Sequence, residues 1–190
     1  MLTLPALHGS GRDETDLMDF CHRLAPGSNI ATPRGPFVQA DGFTFFKRRS
    51  DRSIDVAEVL YLARRWIALD FAAYVPPSDE VVLVGYSSGA IFAEALLSVA
   101  PDEFSGAILM RPQPLSSDFN FPRLTKTPIL IIAGKHDDRR DPDDAAILAE
   151  QLANAEACVS LNLLDAGHDW APDDADIVLA RSWRSAIATN

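Results

Sequence analysis

The chain has 190 residues, 47% of them apolar and 23% charged, which suits a single globular domain with a substantial core. Its 17 basic and 27 acidic residues give a formal charge of −10, a balance that disfavours nucleic-acid backbones and anionic lipid surfaces as partners. No apolar run is long enough to span a bilayer, no basic residue precedes the apolar start, and Cys21 and Cys158 lie outside any CxxC as buried or half-buried thiols, so the expected compartment is the cytoplasm.

Strand-like apolar runs alternate with segments of helical period. LTLPAL (residues 2–7) predicts a strand that ends at His8-Gly9-Ser10-Gly11. In DETDLMDFCHRLA the residues Leu17, Phe20, Cys21 and Leu24 recur at helical intervals, with Thr15 as the expected N-cap. NIAT (29–32) predicts a short strand, and residues 33–53 show no periodicity and read as a long loop. From Ile54 to Tyr74 the stripe Val56, Val59, Leu60, Ala63, Ile67 and Phe71 predicts a helix stopped by Pro76-Pro77. VVLV (81–84) then leads to a helix at 88–99, and GAILM (106–110) to a proline-containing loop. PILIIAG (128–134) leads to an acidic loop and a helix near 143–154; CVSLNLL (158–164) leads to Asp165-Ala166-Gly167-His168 and a last helix over 173–188. Continuous Val/Ile/Leu runs from Val81 onward predict parallel strands covered on both faces, and the alternation predicts an α/β sheet with right-handed crossovers. Ligands in such folds sit beyond the carboxyl ends of the strands.

The sharpest local signal is Gly85-Tyr86-Ser87-Ser88-Gly89, between a buried strand and a helix. A serine at such a turn projects alone above the sheet, and the residues two before and two after approach too closely for a β-carbon. A hydroxyl needs a base, and four histidines are available. His8 adjoins a glycine turn, where a structural role is expected; His22 falls within a predicted helix; His136 sits beside the acidic loop. His168, at the end of the last strand, is the base this reading selects. Asp137, three residues beyond Gly134, is placed to hold the imidazole tautomer, with Asp138 as its competitor. The backbone N–H of Ser88 and that of Ser10 are the expected oxyanion donors.

These residues resemble the α/β-hydrolase superfamily, and within it the phospholipase/carboxylesterase and dienelactone-hydrolase-like branch of small bacterial esterases. The resemblance rests on LHGSG (7–11), PRGP (33–36), GYSSGA (85–90), LMRP (109–112), GKHD (134–137) and DAGH (165–168), and so runs along nearly the whole chain. It implies a three-layer α/β-hydrolase fold with a mostly parallel sheet of about six strands, lacking the first two of the full fold and without a large lid. The order Ser87, Asp137, His168 is that of the fold. Ser88 stands where Asn or Gln is usual, and the HDDRRDP loop departs from the usual Asp-Pro-apolar run, leaving Asp138 or Asp141 to compete with Asp137.

The resemblance implies hydrolysis of carboxylic esters with small or medium acyl or aryl groups, without a metal or organic cofactor. Thioester cleavage is the first alternative and a non-catalytic binding protein the second; dienelactone ring opening ordinarily uses cysteine, where this chain has Ser87. A small-molecule ester is the expected partner, and a homodimer is left open. Tyr86, Phe43 and Trp170 are placed at the substrate pocket, with at least one of Phe43, Phe45 and Phe46 assigned to the core. Lys47, Arg48 and Arg49 read as a solvated basic patch that a carboxylate-bearing substrate could use.

Overall fold

The computed structural model describes residues 1–77 and 79–187. Its main sheet has six strands: β1 (Leu2–Leu7), β2 (Asn29–Ala31), β5 (Glu80–Tyr86), β6 (Gly106–Met110), β7 (Pro128–Gly134) and β8 (Cys158–Leu164), in the order β2-β1-β5-β6-β7-β8. All five neighbouring pairs run parallel. After β1 the chain steps outward to β2 and then returns to the other side of β1 as β5. The switch point between β1 and β5 is where such sheets open a crevice at their carboxyl ends.

Alternation along the strands divides the apolar residues between two layers. Val81 and Leu83 of β5 face a core shared with α2 (Val56–Leu69), α4 (Ser88–Val99) and α5 (Asp144–Asn154). Val82, Val84 and Tyr86 face the opposite core, built with α1 (Met18–Leu24) and α6 (Ala175–Ile187). Period two in the strands and 3.6 in the helices is what permits this three-layer packing.

Four local expectations are corrected. Residues 33–53 contain a small antiparallel hairpin, β3 (Phe37–Gln39) and β4 (Gly42–Thr44), too short to show a period in sequence. Thr15 caps no helix: α1 begins at Met18, and the Thr15 hydroxyl and N–H are held by Asp13. The 54–74 stripe is two helices, α2 capped by Asp55 and the short α3 (Phe71–Tyr74). The last strand is not covered on both faces, because β8 is an edge strand; Cys158, Leu161 and Leu163 are exposed. Helix α6 follows a 3₁₀ turn at Pro172–Asp174, so its regular part starts at Ala175; the predicted end at 188 lies outside the described residues. Among the described residues no helix is long and apolar enough to cross a membrane.

Candidate active site

Strand β5 is buried from Val81 onward and cannot turn gradually into α4, because the helix lies against the sheet. Ser87 absorbs the whole change of direction with φ 54° and ψ −113°, a conformation that costs a non-glycine residue about 1–3 kcal/mol. Its N–H is anchored to the Met110 carbonyl at 2.8 Å. A β-carbon on Gly85 would come within 2.6 Å of the Gly89 carbonyl oxygen, and one on Gly89 within 1.9 Å of the Leu7 carbonyl oxygen. The two glycines are therefore a packing requirement at which β1, β5 and α4 meet.

The Ser87 Oγ lies 2.9 Å from Nε2 of His168, and the other ring nitrogen, Nδ1, lies 2.8 Å and 3.0 Å from the two carboxylate oxygens of Asp137. The His168 and Asp137 side chains are 6% and 4% exposed, so the pair is shielded from competing water. With Nδ1–H donated to Asp137, Nε2 is the free acceptor for the serine proton. Burial lowers the His168 pKa from its ordinary value; the Asp137 hydrogen bond opposes this and the Arg140 charge adds to it. Asp138 and Asp141 are exposed and line the cleft without reaching the imidazole. His136 instead pairs with exposed Asp165 at 2.7 Å.

Ser10 and Ser88 line the same cleft as Ser87, about 510 Å³ in volume. Among the described residues, neither backbone N–H is taken by another protein group. The Ser10 loop is braced by the hairpin: its hydroxyl meets that of Thr44 at 3.0 Å, and the neighbouring Gly11 N–H donates to the Phe43 carbonyl. His8 is structural, as its position beside Gly9 suggests. Its Nε2 accepts from the Gly35 N–H at 3.0 Å, which leaves Nδ1–H to donate to the Gly9 carbonyl.

The three aromatic residues expected at the pocket lie elsewhere. Tyr86 sits behind the His168 ring, donating its hydroxyl proton to the His168 carbonyl at 2.6 Å, and burial raises its pKa to about 12. Trp170 stacks on Tyr86 at 5.1 Å and on Phe20 at 5.4 Å. Both therefore support the His168 loop from the α1–α6 side. Phe43 carries the Arg34 guanidinium 4.5 Å over its ring on the outside of the hairpin. Phe46 is the phenylalanine that borders the cleft, while Phe45 packs between His8 and Phe92 in the core. Arg48 of the basic run borders the cleft too, with Arg52, Arg139, Arg140 and Gln113.

Two arginines that complete the site were not singled out from the sequence. Arg111, fully buried, donates through Nε to the Gly167 carbonyl and through Nη2 to the Asp169 carbonyl, gripping the main chain on both sides of His168. Its charge is met by Asp176, 2.7 Å from Nη1. A charged residue closing the apolar run GAILM was the available clue. Arg140 donates from Nη2 to Ser87 Oγ at 3.0 Å. Nothing in the DDRRDP run separates it from the exposed Arg139. Among the described residues no three His, Cys, Asp or Glu side chains are grouped to hold a metal ion.

Comparison with known proteins places the molecule. The profile of the dienelactone hydrolase family matches residues 45–187. A curated Bacillus subtilis protein, "Putative hydrolase MhqD", is 30% identical over 180 residues, covering 93% of this chain and 89% of its own. The crystal structure of a carboxylesterase from Mesorhizobium loti superposes with a TM-score of 0.87 at 30% identity, over 96% of this chain and 88% of that one. A Bacillus cereus carboxylesterase shares the fold, with a TM-score of 0.85 at 23% identity over 98% of this chain and 88% of its own.

Proposed function

The chain belongs to the dienelactone hydrolase family and is a hydrolase of the carboxylesterase type, and from that premise we propose that it cleaves carboxylic esters with Ser87 as nucleophile, His168 as base and Asp137 as the acid that orients it. The observation that carries this reading is the unbroken chain of contacts from Ser87 Oγ through the imidazole to the Asp137 carboxylate.

His168 takes the Ser87 proton as Oγ attacks the acyl carbon, and the carbonyl electron pair moves onto oxygen. The Ser10 and Ser88 N–H groups receive that oxyanion, the second of them at the start of α4, where the helix dipole favours negative charge. Collapse expels the alcohol, which leaves with the proton held by His168. Water then repeats the sequence on the acyl-enzyme and frees the acid.

The cleft suits small or medium esters, since it is open and holds about 510 Å³. Four arginines against three aspartates line it in a chain of net charge −10, which favours an ester with a negatively charged substituent. The test is hydrolysis of a short-chain chromogenic ester by wild type and Ser87→Ala, with fluorophosphonate labelling and peptide mapping. Labelling at Ser87 and loss of about 10³-fold or more in turnover are expected. Equal slow turnover in both proteins would favour a non-catalytic binding protein, and a preference for acyl thioesters over matched oxygen esters would make it a thioesterase.

A further inference from the structure

Ser87 Oγ has a second polar neighbour that the proton relay does not use. Arg140 lies three residues beyond Asp137 on the loop between β7 and α5. Its Nε donates to the carbonyls of Arg111 and Pro112 at 2.9 Å and 3.0 Å, and Nη1 to the carbonyl of Arg139 at 3.0 Å. With those bonds made, Nη2 is left pointing at Ser87 Oγ, 3.0 Å away. We propose that Arg140 is a catalytic residue that fixes the Ser87 hydroxyl proton on His168 and stabilises the negative charge that grows on Oγ as the proton leaves.

A guanidinium only donates, so Ser87 Oγ must accept from it. The hydroxyl hydrogen must then point away, and the acceptor in contact with Oγ is His168 Nε2 at 2.9 Å. The serine is thus held in the one rotamer that is ready to react. Arg140 keeps its own proton throughout. In the acylation step the Ser87 O–H bond breaks, its proton moves to Nε2 and the Oγ–acyl bond forms; the fixed positive charge favours the first through its contact with Oγ, and that direct contact outweighs its weaker, longer-range repulsion of the imidazolium. Attachment to three main-chain carbonyls means that little reorganisation accompanies the step.

The same charge acts on the base. His168 faces Asp137, Arg139 and Arg140 from the β7–α5 loop and Tyr86 from β5, with Arg111, Asp169 and Asp176 around its own loop. Of these, Arg140 is a repulsive neighbour that helps keep the imidazole neutral, the form that can accept a proton. Asp137 and Arg140 therefore bracket the relay from one loop, the carboxylate behind the histidine and the guanidinium beside the serine.

This inference rests on the serine reading above, and the experiment separates the two. Wild type, Arg140→Met and Arg140→Lys are compared by kcat/KM against pH on one neutral chromogenic ester, by the rate of fluorophosphonate labelling, and by circular dichroism. Arg140→Met is expected to lose about 100-fold in kcat and in labelling rate, and the acid limb of its kcat/KM profile moves to higher pH, because the lost positive charge no longer opposes imidazolium formation. Arg140→Lys keeps the charge and should retain most of the limb position with part of the rate loss. A merely structural role gives the opposite sign: a slackened loop withdraws Asp137 from the ring, so the limb moves to lower pH. Unchanged rates, or a limb that stays or falls, overturn the proposal while Ser87 labelling still stands. No labelling of wild type at Ser87 overturns the serine reading itself. If Arg140→Met fails to fold, the Arg140→Lys limb decides alone, a downward shift counting against the proposal.

Discussion

The Ser87 turn and the Asp137 loop deliver two ends of one relay, and they are built on opposite principles. From Val81 to Leu97 every residue except Ser87 is buried, and the geometry is forced by backbone atoms in contact. The loop after β7 is largely exposed at Lys135, His136, Asp138, Arg139 and Asp141. It is held by a few bonds from distant strands: the Lys135 N–H to the Leu164 carbonyl, the His136 N–H to the Ala166 carbonyl, and the Arg140 fork on residues 111 and 112. Steric closure makes the first region intolerant of added volume at its two glycines. In the second, single polar atoms matter and their neighbours do not.

The largest effect expected from that difference is on activity. Asp137→Asn leaves the loop's shape but offers the imidazole the wrong partner, so kcat should fall about 10⁴-fold. Asp138→Asn, one residue along on an exposed side chain, should stay within a few-fold of wild type. Steady-state rates on one ester at pH 8 check both. Equal losses in the two variants would mean that the loop acts as a charged surface, with no single carboxylate singled out by its contacts.

How much of this was legible in the sequence follows the same line. The strands at 2–7, 106–110, 128–134 and 158–164 and the helix at 88–99 were readable because hydrophobic period and glycine punctuation are local. The Ser87 turn and its flanking glycines were readable for the same reason, since the constraint runs over five consecutive residues. Asp137 could be placed only with Asp138 and Asp141 as competitors, because the sequence shows the carboxylates but not which one the last strand's loop will face. Arg111 and Arg140 were not singled out at all. Each acts through atoms of other segments, with Arg111 reaching the carbonyls of 167 and 169 and Arg140 the hydroxyl of 87. Tyr86 and Trp170 were misplaced because proximity in sequence to Ser87 and His168 says nothing about which side of the sheet a side chain takes. Both turned to the α1–α6 face.

A stability measurement gives the next largest contrast. Gly89→Ala places a β-carbon against the Leu7 carbonyl, and neither β1 nor α4 can move without opening the sheet. The expected loss is about 4 kcal/mol or more in urea unfolding. His136→Ala, which removes only an exposed pair with Asp165, should stay within about 0.5 kcal/mol of wild type. A Gly89→Ala protein with a wild-type midpoint would show that the turn is not sterically closed.

The smallest expected effect concerns the one misfit inside the steric region. Glu94 lies on α4 with no exposure, and its carboxylate has no well-formed hydrogen bond among the described residues, only a weak approach from the Leu115 main chain. Burial raises its pKa well above the ordinary carboxylate value, against the attraction of Arg140. The folded state thus holds a proton that the unfolded chain releases near pH ~4.3. Below that pH the group is protonated in both states and costs little; as pH rises toward the folded value, the cost to stability grows. Glu94→Met has a straight apolar chain of similar volume and good helix propensity. It should stabilise the protein by about 1–3 kcal/mol at pH 8, with the gap to wild type narrowing as pH falls and closing only below about 4.3, where the carboxyl is protonated in both states. Urea unfolding of both proteins across that range reads the difference directly, and effects common to both cancel. A gap that is constant with pH, or a variant less stable than wild type, would mean that Glu94 is ionised and paired with the Arg140 side of the cleft. The two regions would then be coupled through a buried charge instead of meeting only at Ser87.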